Sequence, residues 1–184
     1  MTKTPTLRLL IFSVLAIGTA SAVNAASCSS PAAPAVNWKR CSLADQKLAG
    51  ADLSGATLAD GRFLRTDFTG AKMTDVDATG AKFVSAVLAG VDLRHANLQE
   101  TDLTNADFTG ADLSGADLSR AVLFGTKLRN AILTGAKLDS AEIENADFSG
   151  ATWTDGKRVC AVRSVGLCAR SEPTLPGTPP DGAS

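Results

Sequence analysis

Few side chains in this chain of 184 residues are suited to chemistry: one histidine, four cysteines and a regular series of aspartates. His95 is the one candidate for a general base, and catalysis by a base of this kind needs a serine or cysteine nucleophile held within hydrogen-bond reach. The local sequence Leu93-Arg94-His95-Ala96 fixes none beside it, so His95 reads as a solvated surface side chain. Cys28, Cys41, Cys160 and Cys168 suit either a zinc site or two disulfides. Asp recurs nine times in one slot of a five-residue spacing, among them Asp52, Asp92, Asp102, Asp107, Asp112 and Asp117. Such carboxylates suit turn-side hydrogen bonding or bridging by a cation, but the bidentate cages that calcium favours are not visible. Nothing assembles an active site, so the chain reads as no enzyme, with no metal and no cofactor.

Composition narrows the class further. With 18 Lys+Arg against 19 Asp+Glu, no basic surface for nucleic acid stands out. An apolar fraction of 45% is too high for a disordered chain. Tyr is absent and aromatics make up 5%, which leaves Ala and Leu to fill the interior.

Residues 1–26 read as an export signal. Lys3 and Arg8 give a basic start, Leu9 to Ala16 an apolar run, and Val23-Asn24-Ala25 small residues for a signal peptidase, so cleavage is expected after Ala25 or Ala26. The run is too short to span a membrane, and no other stretch approaches the ~20 apolar residues a span requires. A lipid anchor on Cys28 is the lesser reading, because Ala25 sits where a branched aliphatic is usual. The mature chain is expected to be periplasmic or secreted.

From Cys41 to Asp155 the sequence repeats every five residues without a gap. The large apolar centres run from Leu43, Leu48 and Leu53 to Ile143, Phe148 and Trp153, making 23 consecutive units in which only Ala78 lacks bulk. Two residues before each centre lies a small slot, Ala in 15 units; two residues after it, Gly recurs ten times. Neither the helical period of 3.6 nor the strand period of 2 accounts for a strict five. A single unit cannot bury its own apolar side chain, but stacked coils bury a continuous column. Val76 in the small slot beside Ala78 exchanges volume within one unit, as a filled interior requires.

Units such as Ala51-Asp52-Leu53-Ser54-Gly55, Ala106-Asp107-Phe108-Thr109-Gly110 and Ala111-Asp112-Leu113-Ser114-Gly115 closely resemble the A(D/N)LxX consensus of the pentapeptide repeat family. The resemblance implies an all-β fold, a right-handed quadrilateral parallel β-helix with four pentapeptides per square coil. Twenty-three units then give nearly six coils, a tower roughly 27 Å tall at a strand spacing of about 4.8 Å. On this tower the two cysteine pairs lie at opposite ends, too far apart to cross-link or to share one zinc ion. That leaves Cys28–Cys41 and Cys160–Cys168 as staples of the ends. The expected organisation is a signal peptide (1–26), an N-terminal cap (27–40), the repeat β-helix (41–155), a C-terminal disulfide cap (156–170) and a Pro/Gly-rich disordered tail (171–184).

Surface readings follow from the same stacking, which sets residues 20 apart on one face. Asp92 then lies beneath Asp112, like charges that repel unless bridged. A run of Ser54, Thr74, Arg94, Ser114, Thr134 and Thr154 resembles an ice-binding ladder, but Arg94 interrupts it. Residues 41–155 carry 17 acids against 10 bases, and some family members are DNA mimics that bind gyrase; the export signal and the disulfides point away from that alternative. More telling is one outward column, Leu64, Val84, Thr104 and Phe124, joined by Val122 and edged by Arg62, Arg65 and Lys82. A contiguous apolar stripe marks an interface where scattered apolar residues do not. The expectation is a protein-interaction or structural scaffold of the cell envelope that meets a protein partner, or a second copy of itself, through this stripe.

Overall fold

The computed structural model describes residues 27–169; the expected signal peptide (1–26) and tail (171–184) lie outside the described residues. From 36 to 155 every pentapeptide has the same conformation, one bridge-forming residue followed by the centre and a two-residue turn. The turn closes when the next small slot donates its N–H to the carbonyl of the centre, as Ala56 does to Leu53 at 3.0 Å. Its corner residue has positive φ in every unit from Arg40 (φ 59) to Gly150 (φ 73). An L side chain there costs about 1–2 kcal/mol, which accounts for the recurrent Gly of the sequence and for the Asn and Asp that replace it.

Four units close one square coil. Each bridge residue pairs in parallel with the residue 20 positions on, from Asn37↔Thr57 to Ile132↔Thr152. The sheets are therefore stacks of single-residue bridges rather than extended strands, and they form four faces. The first face is centred on Leu43, Phe63, Phe83, Leu103, Leu123 and Ile143. The second carries Leu48, Phe68, Leu88, Phe108, Leu128 and Phe148; the third, Leu53, Met73, Leu93, Leu113, Leu133 and Trp153; the fourth, Trp38, Leu58, Ala78, Leu98, Leu118 and Leu138. The stack starts one unit before Cys41: Trp38 is a centre, 2% exposed, and Asn37 bridges to Thr57. The last five residues of the expected N-terminal cap thus belong to the coils.

Centres and small slots both point inward and make one continuous core. Phe63 and Phe83 stack at 5.1 Å one coil apart, and Phe68 meets both edge-on. Val76 and Ala78 are both buried, so the exchange of volume takes place inside the core. Where Thr occupies a small slot, its hydroxyl donates to a carbonyl: Thr66 to Leu43, Thr126 to Leu103 and Thr101 to Leu98. A buried hydroxyl without a partner would cost about 1–3 kcal/mol.

The ends are closed by the two disulfides, Cys28–Cys41 and Cys160–Cys168. The sulfur of Cys28 is held in its bond to Cys41. At the other end the chain reverses, and Val159 and Val165 pair antiparallel with Thr152 and Asp147 over the last coil. Among the described residues no helix is long and apolar enough to cross a membrane.

Candidate interaction face

Three outward positions per unit meet solvent: the bridge residue, the residue after the centre, and the corner. Nine aspartates occupy the first of these, where most serve the turn. Asp67 Oδ1 accepts the backbone N–H of Thr69 at 2.9 Å and its hydroxyl at 2.6 Å, and Asp52, Asp77, Asp102, Asp107, Asp112 and Asp147 do the same with Ser or Thr two residues on. These bonds favour the carboxylate form. The hydroxyls of Ser54 and Thr69 hold Asp52 and Asp67 below the usual range, and Ser119 holds Asp117 far below it. Burial pushes Asp107 and Asp147 upward, but their hydroxyl, backbone and cation partners outweigh it, so both end lowered.

Residues 20 apart also form ion pairs across the coils, among them Asp45–Arg65, Asp52–Lys72, Glu100–Arg120, Asp107–Lys127 and Asp117–Lys137. The acidic excess of 41–155 is thereby patterned with cations instead of running as an unbroken negative rail. His95 sits at an exposed corner with its ring over Gly115. Among the described residues no three His, Cys, Asp or Glu side chains gather around a point that could hold a metal.

The first face differs from this pattern. Its outward column is in register: the backbone N–H of Asp45 donates to the Leu64 carbonyl, that of Arg65 to Val84, of Ser85 to Thr104 and of Asn105 to Phe124, at 2.9–3.1 Å. Leu64, Val84, Thr104 and Phe124 therefore rise one above another, and Val122 pairs with Asp102 beside them. Phe124 is 45% exposed, whereas Leu64, Val84 and Val122 are half-buried against their neighbours. Arg65, expected at the edge of the stripe, is tied into a pair with Asp45 at 2.7 Å. Among the described residues, Arg62, Lys82, Asp102, Glu142 and Glu144 take part in none of the ion pairs.

One feature of the surface was not legible as a patch in the sequence. Val159, Val162, Val165 and Leu167 of the C-terminal cap are each more than half exposed, Val162 by 84%. Their spacing follows neither the five-residue period nor an alternation, so only the antiparallel reversal gathers them at one end.

A family model for pentapeptide repeats, eight copies long, matches residues 37–75, 47–83, 86–123 and 116–152, more than half of the chain. The chain belongs to the pentapeptide repeat family. Pentapeptide repeat proteins fold as right-handed quadrilateral β-helices, which is the architecture the four faces trace.

Solved pentapeptide repeat structures resemble it. HetL of the cyanobacterium Nostoc sp. strain PCC 7120, involved in heterocyst differentiation regulation, is 30% identical over 67% of this chain and 64% of its own, with a TM-score of 0.30. A protein of the Arabidopsis thaliana thylakoid lumen is 31% identical over 65% of this chain and 80% of its own, with a TM-score of 0.30. QnrB1, a plasmid-mediated fluoroquinolone resistance protein, is 25% identical over 64% of this chain and 65% of its own, also with a TM-score of 0.30. The chain spans just under two thirds of the length of HetL and of QnrB1. Among curated proteins no match is found.

Proposed function

We propose that this pentapeptide repeat protein is an exported, non-catalytic scaffold of the cell envelope: a tower of six coils, stapled at both ends, that holds a protein against its first face. The observation that carries the reading is the apolar column Leu64, Val84 and Phe124, in register on one flat side, where the other faces bear mostly Ser, Thr, Ala and charges. Export is supported by the basic start, apolar run and small residues of 1–26, and by two disulfides of a kind that persists in oxidising compartments. The ion pairs across the coils weigh against the gyrase-binding alternative, because they interrupt the negative field such a mimic would present.

Two experiments test this reading. Full-length protein expressed in bacteria should appear in the periplasm or medium with its N-terminus at Ala26 or Ser27; an uncleaved cytoplasmic chain would overturn the export reading. Mature protein immobilised on beads should retain a partner from an envelope fraction, and the Leu64→Glu/Val84→Glu/Phe124→Glu variant should not. Equal retention by both would refute the first face as the contact surface.

A further inference from the structure

We infer that the first face is self-complementary and that its occupant is a second copy of this chain, docked face to face with the two towers antiparallel. The inference rests on the reading of this face as a contact surface and adds the partner and its register.

Charge on the first face is divided by height. Along the bridge column the face reads Ser42, Arg62, Lys82, Asp102, Val122 and Glu142 from the N-terminal to the C-terminal end. The two cations lie low and the acids lie in the middle and high, with Glu144 beside Glu142. All five charges are outside the ion-pair network that neutralises much of the rest of the surface. Arg62 and Glu142 are four coil steps apart in one chain, about 19 Å, and cannot pair with each other.

A two-fold axis in the interface plane, perpendicular to the tower, reverses height and keeps position along the strand. Placed midway between the Lys82 and Asp102 levels, it sets Lys82 opposite the partner copy's Asp102 and Val84 opposite Thr104. The same operation sets Leu64 opposite Phe124, and Arg62 opposite Val122, one coil step from Glu142. Leu64, Val84 and Phe124 then meet apolar or neutral residues of the facing copy, Lys82 meets an acid directly, and Arg62 packs on Val122 one coil step from Glu142. The parallel alternative keeps height, so Glu142 and Glu144 of one copy would face Glu144 and Glu142 of the other, like charges in direct opposition. Charge therefore selects the antiparallel arrangement.

The size of the face sets the strength. Five coil steps by one pentapeptide give on the order of 400 Å² per copy, about half of what a standard stable interface contributes. The dimer is accordingly concentration-dependent, with a Kd in the micromolar range, and is weakened by salt.

The test is sedimentation equilibrium of the mature protein with two reversals and their combination. The parent should dimerise at tens of micromolar; R62E and E142R should each weaken the dimer at least tenfold, and the double variant R62E/E142R should recover most of the loss. Recovery distinguishes the antiparallel arrangement from a parallel one, because the two sites do not meet within one chain or in a parallel dimer. Circular dichroism of each variant checks that these exposed replacements leave the fold unchanged. A parent that is monomeric at several hundred micromolar overturns the inference, as does a dimer abolished by V162E/L167E on the C-terminal cap but indifferent to R62E and E142R. Should the parent be monomeric while the stripe variant still loses an envelope partner, the contact surface stands and only the second copy is refuted. If capture too is unaffected, both readings fall.

Discussion

Asp92 and Asp112 stand one above the other on the third face as a parallel bridge pair, and Arg94 reaches both, at 2.7 Å and 3.9 Å. The like charges that stacking brings together are thus bridged by a cation of the chain itself. That cation is also the residue interrupting the Ser/Thr ladder of this face. Replacing Arg94 by Ala should lower Tm at low ionic strength, and the difference from the parent should vanish near 1 M salt, where the Debye length is about 3 Å. Thermal melts of both proteins across a salt series check this; a salt-independent loss would mean that Arg94 acts through packing.

Gly61 fills a small slot without needing positive φ, so its replacement tests space alone. A Cβ there would lie 2.5 Å from the ring of Phe63 and 2.7 Å from the Leu58 carbonyl. Gly61→Ala should therefore cost about 1–3 kcal/mol by overpacking, measured by urea denaturation. Ala occupies most other small slots, so the same residue is tolerated elsewhere and excluded here by the ring of Phe63.

Acid should unfold the tower through its turns. Asp52, Asp67, Asp92, Asp107, Asp117 and Asp147 all have carboxyls lowered in the folded state. A depressed folded pKa gives stability that is present above the ordinary Asp value near 4 and lost as pH falls through the lower folded values. Tm should be nearly constant from about pH 8 to 5 and fall steeply below about pH 4. A Tm that rises or stays level toward pH 3 would contradict the turn role assigned to these carboxylates.

Each disulfide closes a short loop, with separations of 13 and 8 residues, for an entropic stabilisation of about 2.5–3 kcal/mol. Because a solenoid unit contacts only its neighbours, the effect should be local. Replacing Cys160 and Cys168 by Ser should raise hydrogen exchange at Phe148, Gly150 and the amide of position 160, whose N–H groups hold the cap to the last coil. Phe83 and Leu103, at mid-tower, should keep the parent's protection.

The period of five carried most of the fold, because inward and outward positions are set by place in the unit. It located every centre from Leu43 to Trp153 and the stacking of Leu64, Val84, Thr104 and Phe124. Trp38 escaped the count because Cys41 looked like the boundary and Val36-Asn37-Trp38-Lys39-Arg40 departs from the consensus at both ends of the unit. The tie between Arg65 and Asp45 was hidden for a different reason: the period gives the column a side chain belongs to, not the rotamer that turns it toward a neighbour. The exposed valines of the cap lay beyond the period altogether.

The central claim is that the first face, and not exposed apolar surface in general, makes contact. Val87 on the second face and Ile132 on the third are 38% and 41% exposed, close to the 45% of Phe124. Affinity capture from an envelope fraction with L64E/F124E beside V87E/I132E separates the two possibilities. The first variant should lose what the parent retains, and the second should keep it. Loss by both variants alike, or by V87E/I132E alone, would contradict it.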